Sequence, residues 1–170
     1  DRKVVTVTGA ENGLVSDAVY AGYTLGSVVE EVALADDVLD GYVRELLGKS
    51  ASDPIMSDEL WEIDELTLPE GVQDISDLTR FAGLTSLTIH NATGLDFSVL
   101  PQLTTLHSLD LSGSTLPTST LEAIGTLPEL KKLVLESCAV TAINPLVGLS
   151  NLEYLDLTNN SVSDLTAITA

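Results

Sequence analysis

A six-residue pattern of apolar positions recurs five times in the second two-thirds of the chain, and it constrains the fold more than any other feature. Each copy reads apolar-x-x-apolar-x-apolar, and the copies begin at Ile63, Leu84, Leu106, Leu130 and Leu152. Successive copies are therefore 21, 22, 24 and 22 residues apart. One such unit cannot bury its own apolar face, but stacked units can. The sequence therefore predicts a solenoid.

Each copy has the alternation of a β-strand with one buried face. The fourth and sixth positions differ by two residues, so their side chains share that face. The fifth position faces the other way, and it is polar in four of the five copies: Thr67, Thr88, Asp110, Val134 and Asp156 occupy it. We predict five parallel strands on the concave side of the solenoid, near residues 63–68, 84–89, 106–111, 130–135 and 152–157.

Three residues after each copy, a side chain should turn inward and bond the backbone where the strand bends away. The residues at this inward position are Gly71, Ala92, Ser114, Cys138 and Asn160. Asn160 and Cys138 suit the role well, and Ser114 suits it in part. Gly71 and Ala92 have no polar side chain, so we expect the early repeats to be less regular. Cys138 is expected to be a buried, reduced thiol.

The segments between the strands are short. A period near 22 leaves no room for a long helix, so 3₁₀ turns or extended chain should lead back to the next strand. The 24-residue unit is the exception, because Ser119-Thr120-Leu121-Glu122 has the pattern of a capping box. We expect one or two turns of α-helix at 119–125.

The region before the repeats has a helical pattern. Asp36 or Asp37 can cap the start of a helix at 36–48, and Gly48 can end it. Ser57 can cap a second short helix that runs through Trp61. The two helices should cover the first strand, whose edge would otherwise be open. The first helix has one apolar stripe, formed by Val38, Leu39, Tyr42, Val43, Leu46 and Leu47.

Residues 1–32 are harder to place. Lys3–Thr8 is rich in Val and Thr and reads as a strand, and Tyr20–Leu25 reads as another. Asn12-Gly13 between them is a strong turn signal. Residues 27–32 suit a helix start and a strand equally well. We favour a small β appendage packed on the helices, and the alternative is the tail of a preceding domain.

These residues resemble bacterial leucine-rich repeat proteins of the internalin-like, 22-residue type. The strongest match reads Leu-Glu-Tyr-Leu-Asp-Leu-Thr-Asn-Asn-Ser-Val-Ser-Asp-Leu from Leu152 onwards, and residues 35–60 look like the helical cap that precedes such repeats. The resemblance covers roughly residues 33–170 and implies an α/β leucine-rich repeat fold with a helical cap at 33–62 and about five repeats at 63–170. It also implies a non-enzymatic, exported or cell-surface bacterial protein that binds another protein.

The charge of the chain narrows the choice of partner. The sequence has 26 acidic and 7 basic residues, a formal net charge of -19. Such a chain should repel nucleic acids and anionic membranes. No apolar run approaches the roughly 20 residues that cross a bilayer. We interpret the acidity mainly as a solvated surface that keeps the protein soluble. The alternatives are long-range attraction of a basic partner and adaptation to a salt-rich environment outside the cell.

Catalysis and metal binding are both disfavoured by the sequence. His107 should point toward the concave side or its rim, whereas Cys138 should point into the core, so the two cannot form a nucleophile–base pair. Asp36, Asp40 and Gly41 weakly resemble a calcium loop. Other ligand positions of that loop hold apolar residues, including one where glutamate is required. We expect no metal and no cofactor.

The concave face remains as the candidate binding surface. Anchor residues at interfaces are usually Trp, Tyr or Arg, and only Tyr154 qualifies here, close to Lys131 and Lys132. The predicted contact residues are His107, Asp110, Lys132, Val134, Glu136, Tyr154 and Asp156. One alternative is a structural spacer that presents a neighbouring domain. Another is a glycan-binding module, which is disfavoured because the face has only one aromatic residue. The open edge of the last strand also suggests self-association.

Overall fold

The computed structural model describes residues 28–164. The strands and the turn predicted within residues 1–27 lie outside the described residues. The first described elements are two short strands and two helices: β1 (Glu31–Val32), α1 (Asp37–Leu47), β2 (Ile55–Met56) and α2 (Ser57–Trp61). β1 and β2 pair in the antiparallel direction. No helix between residues 28 and 164 is long and apolar enough to cross a membrane.

A parallel sheet of five strands follows, as predicted. Its strands lie side by side in chain order: β3 (Glu65–Thr67), β4 (Ser86–Thr88), β5 (Ser108–Asp110), β6 (Lys132–Val134) and β7 (Tyr154–Asp156). Three 3₁₀ segments and one helix connect them: Ser76–Arg80, Leu100–Gln102, α3 (Thr118–Ile124) and Asn144–Gly148. The predicted solenoid with short returns is therefore confirmed.

The strands are shorter than predicted, because only the middle of each six-residue pattern is regular strand. Backbone pairing nevertheless continues beyond these limits. The Leu68 N–H donates to the Thr88 carbonyl at 2.9 Å, and the Thr85 N–H donates to the Asp64 carbonyl at 2.8 Å. The outer apolar positions thus belong to the bends that carry the chain into and out of the sheet.

Leucines at the fourth position of the pattern form the centre of the core. They lie directly opposite one another across the sheet: Leu66, Leu87, Leu109, Leu133 and Leu155. The first four are buried and Leu155 is half-buried. The helices contribute Leu39, Val43 and Leu60 to the same core cluster. The core therefore runs without interruption from α1 into the repeats.

Val134 departs from the predicted pattern. The sequence places it on the exposed face, but its exposure is only 9%. In the sheet register it lies between Asp110 and Asp156. Neighbouring strands are about 4.8 Å apart, so the flanking side chains of Asp110 and Asp156 are close enough to limit the contact of the valine with solvent. The prediction of an exposed valine is therefore wrong.

Asn160 fills the inward position as predicted. Its Oδ1 accepts hydrogen bonds from the N–H groups of Cys138 at 3.1 Å and Val140 at 2.8 Å. Its Nδ2 donates to the carbonyls of Leu135 at 2.6 Å and Leu157 at 3.0 Å. One side chain thus satisfies backbone groups of two successive repeats where both leave the sheet.

Ser114 serves the preceding repeats in the same manner. Its hydroxyl accepts from the Ala92 N–H at 3.0 Å and donates to the Ile89 carbonyl at 3.4 Å. Cys138 is buried, and its Sγ donates to the Leu111 carbonyl at 3.1 Å. The three inward side chains with polar atoms therefore all bond the backbone, as the pattern predicts.

Asp36 fixes the start of α1 and also ties the helix to the first repeat. Its Oδ1 accepts from the N–H groups of Val38 at 3.0 Å and Leu39 at 2.9 Å, which confirms the predicted cap. Its Oδ2 accepts from Gln73 at 2.7 Å and Asp74 at 3.0 Å, in the loop after β3. The predicted C-terminal cap is also confirmed, because the residue after α1 is a glycine with φ +66°.

The other two predicted helix caps are wrong. Met56 precedes α2, and its N–H donates to the Glu59 carboxylate at 2.8 Å. Ser57 is buried instead, and its hydroxyl accepts from the Glu30 N–H at 3.1 Å, which holds the chain beside β1. α3 begins one residue early, after Pro117, and the residue before the helix makes no side-chain cap. Proline has no N–H and a fixed φ, so it sets the helix start without a capping box.

Substitution of Asn160 should destabilise the stack. Asn160→Ala leaves several half-buried backbone groups without partners, so we expect the free energy of unfolding to fall by about 2–3 kcal/mol. Urea unfolding of the full chain measures this loss. Asn144→Ala, at an exposed position in the last 3₁₀ segment, is the control, and its effect should stay within about 0.5 kcal/mol. Equal losses in the two variants would contradict the role assigned to Asn160.

The Asp36 clamp should make stability depend on pH. Burial raises the pKa of Asp36, but hydrogen bonds from four N–H groups outweigh this effect and lower it. A lowered folded-state pKa means that the stabilisation is complete above the unfolded-state pKa and is lost as the pH falls through the folded-state value. Asp36→Asn replaces one acceptor oxygen with a donor. We expect it to cost about 1–3 kcal/mol at pH 7.

The cost of Asp36→Asn should shrink as the pH is lowered from about 5 to about 2, because wild-type Asp36 becomes protonated in this range. Urea unfolding at a series of pH values gives the difference between the two proteins. Asp37→Asn, at an exposed neighbour, should show no comparable change with pH. A cost that is the same at pH 7 and pH 2 would show that the charge of Asp36 does not contribute.

Candidate functional site

The outward side chains of β3–β7 form two columns across the sheet, which we call the concave face. The register aligns Glu65, Ser86, Ser108, Lys132 and Tyr154 in one column, and Thr67, Thr88, Asp110, Val134 and Asp156 in the other. Hydrogen bonds between strands hold each column at a regular spacing of about 4.8 Å. The face is therefore a rigid surface whose chemistry is set by one residue at each point.

Lys132 and Tyr154 are direct neighbours in the first column. The Lys132 Nζ lies 5.8 Å from the centre of the Tyr154 ring, a distance suited to a cation–π interaction. Tyr154 is nevertheless 51% exposed, and its hydroxyl donates to Asp156 Oδ2 at 3.4 Å. These two predicted residues thus form one cluster with an accessible aromatic surface.

Asp110 is half-buried at the centre of the face. Its Oδ1 accepts from the Ser112 N–H at 2.9 Å and from the Ser112 hydroxyl at 2.6 Å, and His90 Nε2 lies 3.5 Å away. Burial raises the pKa of Asp110, but the bonds from Ser112 and the neighbouring His90 outweigh it and lower the pKa. Asp110 therefore remains ionised at neutral pH.

His90 was not among the predicted contact residues, although its side chain is half exposed. It follows β4 by two residues, and the register of β4 with β5 brings it to Asp110. The alignment of the repeats predicts that Thr88 and Asp110 are neighbours, because they share one position of the pattern. His90 follows Thr88 by two residues. The contact also depends on the path of the chain beyond the strand, which alternation within the strand does not give.

Asp156 repeats the local structure of Asp110. Its Oδ1 accepts from the Thr158 N–H at 2.8 Å. Hydrogen bonds from the Thr158 hydroxyl and N–H lower the pKa of Asp156. The face therefore has fixed negative charges on β5 and β7, on either side of the buried Val134.

The remaining predicted residues lie at opposite rims of the face. His107 precedes β5 and is half-buried. Glu136 follows β6, is exposed, and its Oε1 accepts from Asn159 Nδ2 at 3.4 Å. Glu136 also lines a shallow, open depression of about 260 Å³ with His90, Asn91, Ser112, Gly113 and Ser137. The structure therefore groups Lys132 with Tyr154, and Asp110 with His90, but it separates His107 from Glu136.

The geometry does not assemble a catalytic pair around Cys138. Its thiol is buried among core residues and bonds a backbone carbonyl, and burial raises its pKa. His90 instead contacts Asp110 on the exposed side of the sheet. Between residues 28 and 164, no cluster of three or more His, Cys, Asp or Glu side chains could hold a metal ion.

Cys138 should react slowly with a thiol reagent in the native protein. Its burial blocks access, and its raised pKa reduces the fraction of reactive thiolate. We expect labelling to be much faster in denaturant than in buffer, as measured by the absorbance of a released aromatic thiolate. Ser137→Cys, at an exposed neighbouring position, provides the control and should label at once. Native labelling of Cys138 as fast as in denaturant would contradict the inward position.

Comparison with known proteins adds a family match and several solved structures. A family model described as Leucine Rich repeats (2 copies) matches residues 128–170. An internalin (InlF) from Listeria monocytogenes is 25% identical, with a TM-score of 0.61, over 78% of this chain and 46% of that chain. Internalin C2 from the same species is 27% identical, with a TM-score of 0.59, over 78% of this chain and 69% of that one.

A third structure is similar in fold alone. The functional domain of InlJ from Listeria monocytogenes, which includes a cysteine ladder, is 23% identical with a TM-score of 0.59. The match covers 79% of this chain and 29% of the InlJ domain. The chain thus spans less than half of the InlF structure and less than a third of the InlJ structure. A search of curated protein sequences found no match.

Proposed function

We propose that this chain, an internalin-like leucine-rich repeat protein, binds a protein partner through its concave face and does so at the bacterial surface or after secretion. The fold itself suggests a protein-interaction module, and the Listeria internalins among its structural neighbours support the location. The single observation behind the choice of face is the Lys132–Tyr154 cluster. It presents an exposed aromatic ring on a rigid strand.

Rigidity favours binding at this face. Side chains on paired strands lose less conformational entropy on binding than side chains on loops. Tyrosine is enriched among residues that dominate binding energy, because it buries a large area with few rotatable bonds. We propose that Tyr154 is the anchor and that the contact extends over His107, Asp110, Lys132, Glu136 and Asp156. Val134 belongs to the same surface, but its burial limits its contact area.

The proposed domain organisation follows the predicted boundaries. We propose a helical unit at 33–62 before the repeats at 63–170, whereas the predicted appendage at 1–32 lies mostly outside the described residues. The core that α1, α2 and the repeats share supports the boundary near residue 62 as a junction within one folded body. We propose a non-enzymatic role, because the one thiol among the described residues is buried away from His90 and the concave face offers an exposed aromatic ring for binding.

A spacer that binds nothing and a glycan-binding module are the competing functions. A sugar site usually needs several aromatic rings for stacking, whereas Tyr154 is the sole aromatic residue in the five strands of the parallel sheet, β3–β7. A spacer would leave the face without a contact, so it is the outcome expected if concave substitutions have no effect.

The proposal is tested by probing an array of purified extracellular proteins with the full chain. Tyr154→Ala should weaken binding to any captured protein by about 1–3 kcal/mol, because it removes the anchor ring. Lys132→Glu should mainly slow association and change its salt dependence. Surface plasmon resonance of each variant measures both effects.

Matched controls separate the concave face from the rest of the surface. Glu122→Ala alters an exposed residue of α3, away from the sheet, and should leave affinity and association rate unchanged. Unfolding curves establish that each variant is folded. Equal affinity of wild type and Tyr154→Ala, or an equal loss in Glu122→Ala, would reject the proposed face and favour the spacer.

A further inference from the structure

Resting on the proposed function, we infer that the partner presents a carboxylate to Lys131 and Lys132, beside an apolar side chain that packs on Tyr154. Three features of the molecule support this assignment: the distribution of its basic residues, the geometry of β6 and β7, and the strong negative charge of the chain.

Basic residues in this acidic chain are normally paired. Three of the five that lie within residues 28–164 form ion pairs with nearby acids: Arg44 with Asp40, Lys49 with Glu59 at 2.8 Å, and Arg80 with Asp77 at 2.7 Å. The other two, Lys131 and Lys132, are adjacent and exposed, and neither has a carboxylate within ion-pair distance in the described part of the chain. With acids in nearly fourfold excess, this exception leaves two exposed ammonium groups that can pair with a carboxylate of a partner.

Neither strand that flanks Lys132 has a carboxylate directly opposite it. Lys132 lies opposite Ser108 on β5, and its other neighbour is Tyr154 on β7. The backbone is fixed on both sides. The N–H groups of Lys131 and Lys132 each donate to the His107 carbonyl at 2.9 Å, and the Lys131 carbonyl accepts from the Tyr154 N–H at 2.9 Å. The backbone that carries the two lysines is therefore rigid.

Tyr154 determines what accompanies the carboxylate. Its hydroxyl donates to Asp156 Oδ2, and its ring centre lies 5.8 Å from Lys132 Nζ, yet about half of the side chain stays exposed. An apolar group packed on this surface would lower the local dielectric constant and so strengthen a neighbouring ion pair. An acid next to an apolar residue therefore fits the cluster better than an acid alone.

Extended polyanions are excluded by the surrounding charge. The chain has a net charge of -19. The Glu153 N–H donates to the Lys131 carbonyl, and Asp110 and Asp156 flank Val134, two residues after Lys132. At physiological ionic strength the Debye length is about 8 Å, so these near carboxylates still repel an anion that extends beyond the two lysines. The fitting partner is a protein segment with a single acid in neutral or basic surroundings.

Short peptides test this chemistry without knowledge of the natural partner. The probes are acetyl-Gly-Gly-Asp-Phe-Gly-Gly-amide and its Asp→Asn analogue, titrated into the isotope-labelled full chain at low salt. We expect the Asp peptide to bind about two- to fivefold more tightly, the range for an exposed ion pair. The amide NMR signals of residues 131, 132 and 154 should shift most.

Charge-matched variants assign the preference to the lysine pair. Lys131→Gln/Lys132→Gln should abolish the difference between the two peptides. Lys49→Gln/Arg80→Gln makes the same change in net charge elsewhere and should preserve it. Equal binding of the two peptides, no binding of either, or loss of the preference in the control variant would overturn the inference.

Failure of the inference can be distinguished from failure of the proposed function. If a protein captured on the array depends on Tyr154 but is unaffected by Lys131→Gln/Lys132→Gln, the proposed face stands and the acidic partner group is rejected. If neither substitution affects the captured protein, the concave face itself is rejected.

Discussion

The architecture depends on the burial of one leucine in the middle of every strand. A unit of 21 to 24 residues exposes an apolar face that only the next unit can cover, so Leu87 needs Leu66 on one side and Leu109 on the other. Because parallel pairing aligns these leucines, it also aligns the residues on either side of them. The concave face is thus a direct consequence of core packing, and its columns exist whether or not they bind a partner.

The bends after the strands impose a second constraint. Each strand is only three residues long, so many backbone groups must find partners outside the regular ladder. Left-handed residues occur at one place in successive repeats, namely Asn91, Gly113, Ser137 and Asn159. The inward side chains Ser114, Cys138 and Asn160 then bond the freed groups. Together these positions fix the strand ends, and the outward positions are left for function.

The success of the sequence analysis follows the same division. Periodicity predicts the strands and the role of Asn160, because both depend on a pattern that every repeat must satisfy. Local patterns at Ser57 and Ser119 failed, because a long-range bond to Glu30 and the preceding proline decide those helix starts. The exposure of Val134 and the contact between His90 and Asp110 depend on neighbours in adjacent repeats, so alternation within a single strand could not predict them.

Charge acts at two distances on the concave face. The overall charge of -19 creates a field that attracts basic proteins from solution, and Asp110 and Asp156 keep their charge because hydrogen bonds lower their pKa. The two lysines act only at contact, since the surrounding acids cancel their field at longer range. A partner that is basic overall but has one acid at the correct position satisfies both conditions. A uniformly basic surface would be attracted by the overall charge and then repelled at Lys132, so the proposed contact would select among the proteins that the field brings near.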